Sequence, residues 1–410
     1  MKIREISILC IFFVIIALCS CTYIEKEPEN FQKSKTDISK EMEEIYEKGY
    51  DLPIKDEDED EAEKDCVAVM AMIQDIYNAA DKGDSSDVLL TASVMEQMKK
   101  VISREKKSVI CSEEYSVMGN YLVMEKFLHN SEQGIEGDTI LYDILRDGSI
   151  ERKKYIYDGK EMYLLVVRAV WNDNGSPGIE YSSYTRIKEW RYTEKGWFAY
   201  ELCVPEPPEV TEIVDGSCMI RIKPLDTECI ELSKKCVFPL GYQGNNLLCS
   251  NWDSENMDAL DYNGIYEYLY AIKYQQRFNP DNYLNGIPKE EFERLLMEYL
   301  PITTEEIREY AVFDEETQMY IWERLGCGNY DPTFWGTSIP EVVDIKENME
   351  GMVILTVNAV CDMVLCDDEV ITHELTVRFR EDGSFQYLGN KILNNGIVNI
   401  PDYQYRINKK

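Results

Sequence analysis

The first half of the chain opens with apolar residues at helical spacing. Between residues 66 and 80 they recur at three- and four-residue steps, which predicts an amphipathic helix ended by Gly83. Ser93 and Glu96 have capping-box spacing ahead of a second helical run, and a third run covers residues 115–127. The pattern therefore predicts three helices before any sheet.

Segments rich in Tyr, Ile, Val and Trp follow these helices. Asp-Gly and Lys-Gly pairs separate them, as expected for strands joined by tight turns. A proline-rich break follows, and residues 210–250, with MIRI at 219–222 and four cysteines, predict a β-rich connecting segment. The clearest strands of the first half are 163–171, 183–192 and 197–204.

The second half repeats the order of helices and then strands. Apolar residues between 265 and 272 share one helical face, and Pro288 is predicted to begin a further helix. Thr303 and Glu306 are predicted to cap another. Four strand-like runs close the chain, at 342–346, 352–365, 371–380 and 385–388.

This layout is typical of an α+β fold with two tandem halves, each made of helices followed by an antiparallel sheet. The element order resembles the cone-shaped fold of nuclear transport factor two and its relatives, in which helices pack into a curved sheet. A pair of cystatin-like halves is the second choice. The predicted domains are an N-terminal α+β domain at 65–209, a Cys-rich β connecting segment at 210–250 and a C-terminal α+β domain at 251–410.

Residues 1–20 have the layout of a lipoprotein signal peptide. Two basic residues precede an apolar run at 8–18, which is too short to cross a bilayer as a helix. The sequence LCSC at 18–21 resembles the lipobox of bacterial lipoproteins. This resemblance implies that Cys21 carries diacylglycerol, anchoring the mature protein in the cell membrane, facing outside. An ordinary signal peptide or an uncleaved anchor is the alternative.

Residues 21–64 are predicted to form an acidic, flexible tether. The segment is polar and ends in DEDEDE at 56–61, where like charges repel one another and favour an extended chain. This block lacks the ligand spacing of a calcium-binding loop. The sequence therefore favours a solvated spacer between the membrane anchor and the folded domains.

Composition narrows the range of partners. The chain has 410 residues, of which 44% are hydrophobic, and its 77 acidic and 43 basic side chains give a formal net charge of −34. The hydrophobic content is that of a globular protein. The charge argues against binding nucleic acid or anionic lipid, because both require clustered Lys and Arg.

The motifs of common catalytic sites are absent from the sequence, and it predicts no metal and no cofactor. The chain has two histidines, His129 and His373. His373 shares strand parity with Ile371 and Leu375, so it belongs either to the core or to a pocket, and the core is favoured. His129 is expected beside the terminal carbonyls of a helix. Carboxylates are too numerous for any pair of them to indicate a catalytic site.

Several cysteines could form disulfides outside the membrane, where oxidation is permitted. Cys361 and Cys366 could not bond to each other within one continuous strand, because five residues of strand span about 16 Å. The cysteines that lie close together along the chain are Cys203, Cys218, Cys229, Cys236 and Cys249.

Several phrases of the second half resemble an uncharacterised lipoprotein family of gut Clostridia, known as a domain of unknown function. They are GYQGNN at 241–246, RLGCGNY at 324–330, SIPEV at 338–342, AVCDMVLCDD at 359–368 and ITHELTVRF at 371–379. The resemblance supports the lipobox and the external location. It implies no activity, cofactor or catalytic residue.

Two functions are consistent with these observations. The favoured one is a non-catalytic binding or assembly module, anchored in the membrane, with a protein or polymer partner at the cell surface. The alternative is an extracellular hydrolase that acts on a wall or dietary polymer, using carboxylates in a cone-shaped pocket. A hydrolase requires titratable groups that converge in an open cavity, with His373 as one candidate.

Overall fold

We describe a computed structural model of the chain, at residues 45–82, 88–326, 338–347, 351–361 and 369–407. It divides into a short unit, Met1–Glu47, and a compact body, Lys48–Lys410. The lipobox and most of the tether lie outside the described residues. No helix among the described residues is long and apolar enough to cross a membrane.

The first half of the body contains helices on both faces of a mixed sheet. Its helices are α1 (Asp56–Ala79), α2 (Ala92–Arg104) and α3 (Tyr121–Glu132). Its strands are β1 (Ser108–Cys111), β2 (Gly137–Ile144), β3 (Ile150–Tyr157), β4 (Met162–Trp171), β5 (Pro177–Tyr192), β6 (Trp197–Leu202) and β7 (Ser217–Arg221). In the described part of the chain these strands form a seven-stranded sheet in sequential order.

The sheet is not wholly antiparallel as predicted, because β1 pairs with β2 in parallel. The reason is α3, which lies between the two strands along the chain and supplies the crossover that a parallel pair requires. The other neighbours are antiparallel, and the predicted Asp-Gly and Lys-Gly turns are present, with Gly148, Gly159 and Gly196 at positive φ.

Each face of the sheet has its own core. Residue parity along β2 separates the two, since Tyr142 and Ile144 pack with α1 and α2, whereas Leu141 packs with α3. The sheet also curls, so that its two edge strands, β1 and β7, line one common cleft.

The prediction that the acidic block is extended was wrong, because α1 begins at Asp56 and includes the whole block. Acidic residues in a first turn are stabilised by the positive end of the helix dipole. The fully buried Arg152 of β3 also attracts this segment, with its guanidinium 3.0 Å from Asp65 and 3.3 Å from Glu61. Lys154 lies 3.5 Å from Asp58. The tether boundary predicted at residue 64 therefore falls inside a helix.

The starts of α2 and α3 differ from the prediction. The N-cap of α2 is Thr91, whose hydroxyl accepts from the Val94 N–H, so Ser93 already lies inside the helix. The run predicted from residue 115 becomes helical only at Tyr121. Local spacing thus located each helix but misplaced its first turn.

The segment 210–250 is not chiefly β as predicted. Its strand β7 belongs to the first sheet, and the chain then forms α4 (Thr227–Leu232) and a π-helical turn (Ser233–Val237). Ile222 packs in the core beside α3, whereas Leu225 packs against the core of the second half. The packing of the chain therefore changes from one core to the other within a few residues after β7.

The second half has its own sheets and core, and the core extends from Cys229 to Ile392. Its helices are α5 (Tyr262–Tyr274), α6 (Lys289–Tyr299) and α7 (Thr304–Tyr310), with short 3-10 turns at Pro280–Asn282 and Gly396–Asn399. Its strands are β8 (Trp252–Asp253), β9 (Ile287–Pro288), β10 (Phe313–Asp314), β11 (Met319–Tyr320), β12 (Ile339–Glu347), β13 (Met352–Val360), β14 (Thr372–Phe379) and β15 (Phe385–Ile392). In the described residues they form a five-stranded sheet of order β12-β13-β14-β15-β8 and a three-stranded sheet of order β10-β11-β9.

The predicted cap of α7 is present, but α6 begins later than predicted and one predicted strand was too long. Thr303 and Glu306 form a reciprocal capping box at α7. Pro288 precedes α6 as its N-cap residue, so this helix begins at Lys289, one residue after the predicted start. The strand predicted over 352–365 ends at Val360. Cys361 follows it directly and is buried, whereas Cys366 lies outside the described residues.

Candidate binding cleft

His373 lies inside the second core rather than in a cavity. Its side chain is fully buried on β14, with Nδ1 2.6 Å from Asn390 Oδ1 and Nε2 3.0 Å from the Tyr242 hydroxyl. The Asn390 amide N–H groups donate to the carbonyls of Leu248 and Ser250, so its oxygen must accept from His373. Nδ1 therefore carries the proton, and the Tyr242 hydroxyl donates to Nε2.

This environment keeps the His373 imidazole neutral. Burial lowers its pKa from 6.5 to about 4, although the hydrogen bond to Asn390 opposes that shift. A general base works best with a pKa near the working pH and within reach of substrate. His373 meets neither condition. His129 lies on the surface near the end of α3, 3.0 Å from Glu132.

The five cysteines suggested for possible disulfides are free thiols in this structure. Cys218 lies in the first sheet, whereas Cys229, Cys236 and Cys249 belong to the second core. Cys203 follows β6 on the first sheet. Burial raises the pKa of the Cys236 and Cys249 thiols to about 12, so both stay protonated at neutral pH.

A cleft of about 240 Å³ lies between the two halves of the body. Strands β1 and β7 of the first sheet border it on one side, and β12 with the end of β13 borders it on the other. Its apolar walls are formed by Ile110, Trp197, Met219, Ile220, Ile339 and Val360. Apolar walls with a few polar groups are typical of binding sites.

The Arg221 guanidinium and the Glu341 carboxylate join the two halves across this cleft. Arg221 Nε lies 2.7 Å from Glu341 Oε1, and its Nη2 contacts Oε2, which makes the pair bidentate. Arg221 Nη1 donates to the carbonyl of Lys195 at 2.9 Å, and the guanidinium lies 4.4 Å from the centre of the Trp197 ring. The Tyr115 hydroxyl adds a second link by donating to the carbonyl of Pro340.

Three further carboxylates line the cleft, and each is held by a basic neighbour. Arg146 lies 3.2 Å from Glu113 and 3.7 Å from Glu114. Asp143 is 2.8 Å from Lys153 and raises the pKa of that ammonium despite the opposing effect of burial. All four carboxylates of the cleft are thus ion-paired. This arrangement suits electrostatic recognition better than proton transfer.

Two other hollows are larger but more polar. One, of about 440 Å³, lies where Lys195 meets Glu369, and it is lined by Asn394 and Asn399. The other, of about 330 Å³, lies beside Lys48 where the body begins. Among the described residues no three His, Cys, Asp or Glu side chains are placed to hold a metal ion.

Sequence reasoning did not identify the cleft residues. Arg221 lies in the MIRI run of the predicted β-rich segment and Glu341 in the sequence SIPEV, but they are 120 positions apart. Neither position shows a local signal, because the pair forms only when the edges of two sheets come together.

Comparison with known proteins gives one match. A family model described as "Family of unknown function (DUF6070)" matches residues 59–406. No curated protein matches the chain, and no solved structure does.

Proposed function

The chain belongs to this family of unknown function, and we propose that it is a membrane-anchored, extracytoplasmic lipoprotein that serves as a non-catalytic binding or assembly module. The family supplies no activity, so the proposal rests on features of the chain itself. The observation that carries the binding role is the cleft, whose apolar walls are open to solvent and whose charged groups are already paired. Its partner is a protein or polymer at the cell surface, and not a nucleic acid.

The anchoring part of the proposal rests on the N-terminal sequence. The lipobox-like LCSC at 18–21 designates Cys21 as the lipidated residue, and its diacylglyceryl group would hold the chain in the cell membrane. The resemblance to lipoproteins of gut Clostridia supports the same location. The tether would then present the body outside the membrane.

The alternative, a hydrolase of wall or dietary polymers, has less support. His373 is buried, neutral and doubly hydrogen-bonded, so it is not available as a base. The cleft carboxylates are ion-paired, and their number follows from the high acidic content of the chain. Hydrolysis of a soluble wall polysaccharide by the purified protein would favour this alternative.

We also propose that the two halves are related α+β units, with the first one cone-like in the manner of nuclear transport factor two. Separate cores and the curl of the first sheet around α3 support this proposal. The helices α1 and α2 on the outer face are an addition to such a cone. An experimental structure of the body in which the five strands of the second sheet superpose on five strands of the first would establish the relationship.

Two measurements test the proposed function. Mass spectrometry of the N-terminal peptide from native membranes should find diacylglycerol on Cys21, and Cys21→Ser should abolish that modification. An unmodified Met1 in a cytosolic extract would contradict the anchoring.

The second measurement concerns the cleft. Labelled protein without residues 1–21 should bind native cell envelopes, and Ile339→Trp, which fills the cleft mouth, should weaken binding about tenfold or more. Leu284→Trp is the matched control, because Leu284 is exposed and outside the cleft. Equal binding by both variants and the parent would contradict the binding role of the cleft.

A further inference from the structure

Strand β7 is an edge strand of the first sheet and borders the cleft. In the described part of the chain it pairs with β6 alone. The Ile222 N–H donates to the Gly196 carbonyl at 2.9 Å, and the Leu202 N–H donates to the Gly216 carbonyl at 2.9 Å. These bonds place the even-numbered residues of β7 in the ladder with β6. Because ladder bonds alternate along an antiparallel pair, Met219 directs its N–H and C=O away from β6.

Exposed apolar side chains lie next to this edge, both along the chain and across the cleft. The chain enters β7 through Ile213 and Val214, which are 91% and 42% exposed. On the other side of the cleft, Ile339 of β12 is 37% exposed. Apolar side chains beside an open strand edge are typical of an interaction surface.

The charged residues that line the cleft determine which charge a ligand should carry. Four carboxylates and one guanidinium line it. Glu341 neutralises Arg221, while Arg146 and Lys153 reach the cleft carboxylates from outside the lining. Because Arg146 serves both Glu113 and Glu114, the four paired carboxylates carry one more charge than their three basic partners, so the cleft favours a single positive group on an apolar stem.

We propose that the cleft and the outer edge of β7 bind an extended segment of a partner protein that carries a lysine or arginine. The segment adds to β7 as a further strand, with its backbone bonded at Met219 and its basic side chain in the cleft. This inference rests on the proposed function and narrows its partner. A cavity of about 240 Å³ admits one long side chain rather than several sugar rings.

The five residues of β7 set the length of the partner segment at about 17 Å of strand. A suitable probe is the hexapeptide Thr-Val-Lys-Val-Thr-Val, acetylated, amidated and fluorescently labelled. Anisotropy titrations against the full-length protein in detergent micelles should show saturable binding that weakens with salt. Replacing the lysine by norleucine should weaken binding about tenfold or more, since a charge-assisted contact is lost.

Variants of the protein test each part of the site. Glu114→Gln should weaken lysine-peptide binding, whereas Glu309→Gln, at an exposed carboxylate outside the cleft, should not change it. Met219→Pro removes the outward N–H and should weaken binding about tenfold without lowering the unfolding temperature, since an edge strand tolerates proline there. A peptide N-methylated on its bonding edge makes the same test without altering the protein.

Equal binding of the lysine and norleucine peptides would show that the cleft does not favour a positive group. Unchanged binding by Met219→Pro and by the N-methylated peptide would show that the peptide does not add to β7 as a strand. Binding of a wall oligosaccharide in place of every peptide would overturn the inference as a whole. In that case the loss of envelope binding by Ile339→Trp would still support the proposed function. If Ile339→Trp also has no effect, both proposals fail.

Discussion

The neutral, buried His373 makes the stability of the protein depend on pH in a calculable way. Its pKa is about 4 in the folded state and 6.5 when exposed, so the unfolded state binds the proton more tightly. The stabilisation is therefore complete above pH 6.5 and is lost as the pH falls towards 4. Linkage gives a loss of about 1 kcal/mol at pH 5.5 and between about 2 and 3 kcal/mol at pH 4.5.

The variant His373→Gln isolates this contribution. A glutamine amide can donate to Asn390 and accept from Tyr242, so it preserves both hydrogen bonds but does not titrate. Urea unfolding of the parent and the variant at pH 7.0, 5.5 and 4.5 gives the free energy of unfolding of each. Titration of the many carboxylates is common to both proteins and cancels in the difference.

The expected result is a parent that loses about 2 kcal/mol more than the variant between pH 7.0 and 4.5. His129→Gln is the matched control, because it removes an exposed histidine and should follow the parent within error. A difference between the parent and His373→Gln that stays constant with pH would refute the reasoning. It would mean that His373 is solvated or charged in the folded protein.

Three further changes test the structure. Arg221→Met should lower the free energy of unfolding by about 3 kcal/mol, because it leaves the buried Glu341 without its guanidinium partner. Adding Glu341→Leu should restore part of this loss. Chemical denaturation measures both variants, and a double variant no more stable than Arg221→Met would contradict the reasoning. Gly148→Ala should lower the free energy of unfolding by about 2–4 kcal/mol, since Gly148 has φ +79° and a Cβ there would lie 2.6 Å from the Tyr77 ring. Thermal unfolding measures this loss, and an unchanged melting temperature would contradict the packing. Burial raises the pKa of the Cys236 thiol to about 12, so this thiol should react with iodoacetamide at pH 8 only after the protein is unfolded in urea. Labelling of Cys236 in the native protein would show that the thiol is accessible.

Local patterns predicted much of the secondary structure, because turns, caps and strand alternation depend on near neighbours. The capping box of Thr303 and Glu306 and the glycine turns of the first sheet formed as expected. The acidic block at 56–61 was misjudged because its stability depends on Arg152, which lies about 90 residues further along the chain. Repulsion within the block is local, whereas the ion pairs that offset it are not.

The sequence by itself determined the class of the fold, the face of β14 that carries His373 and the acidic character of the surface. These follow from periodicity and composition, which a folded chain retains. Only the tertiary structure decided that Arg221 would meet Glu341, that the edge of β7 would border a cleft, and that Cys218 would lie on the first sheet while Cys229, Cys236 and Cys249 lie in the second core. Such features arise where separate sheets come together, and the local sequence on one side of a contact does not indicate which residues lie on the other side.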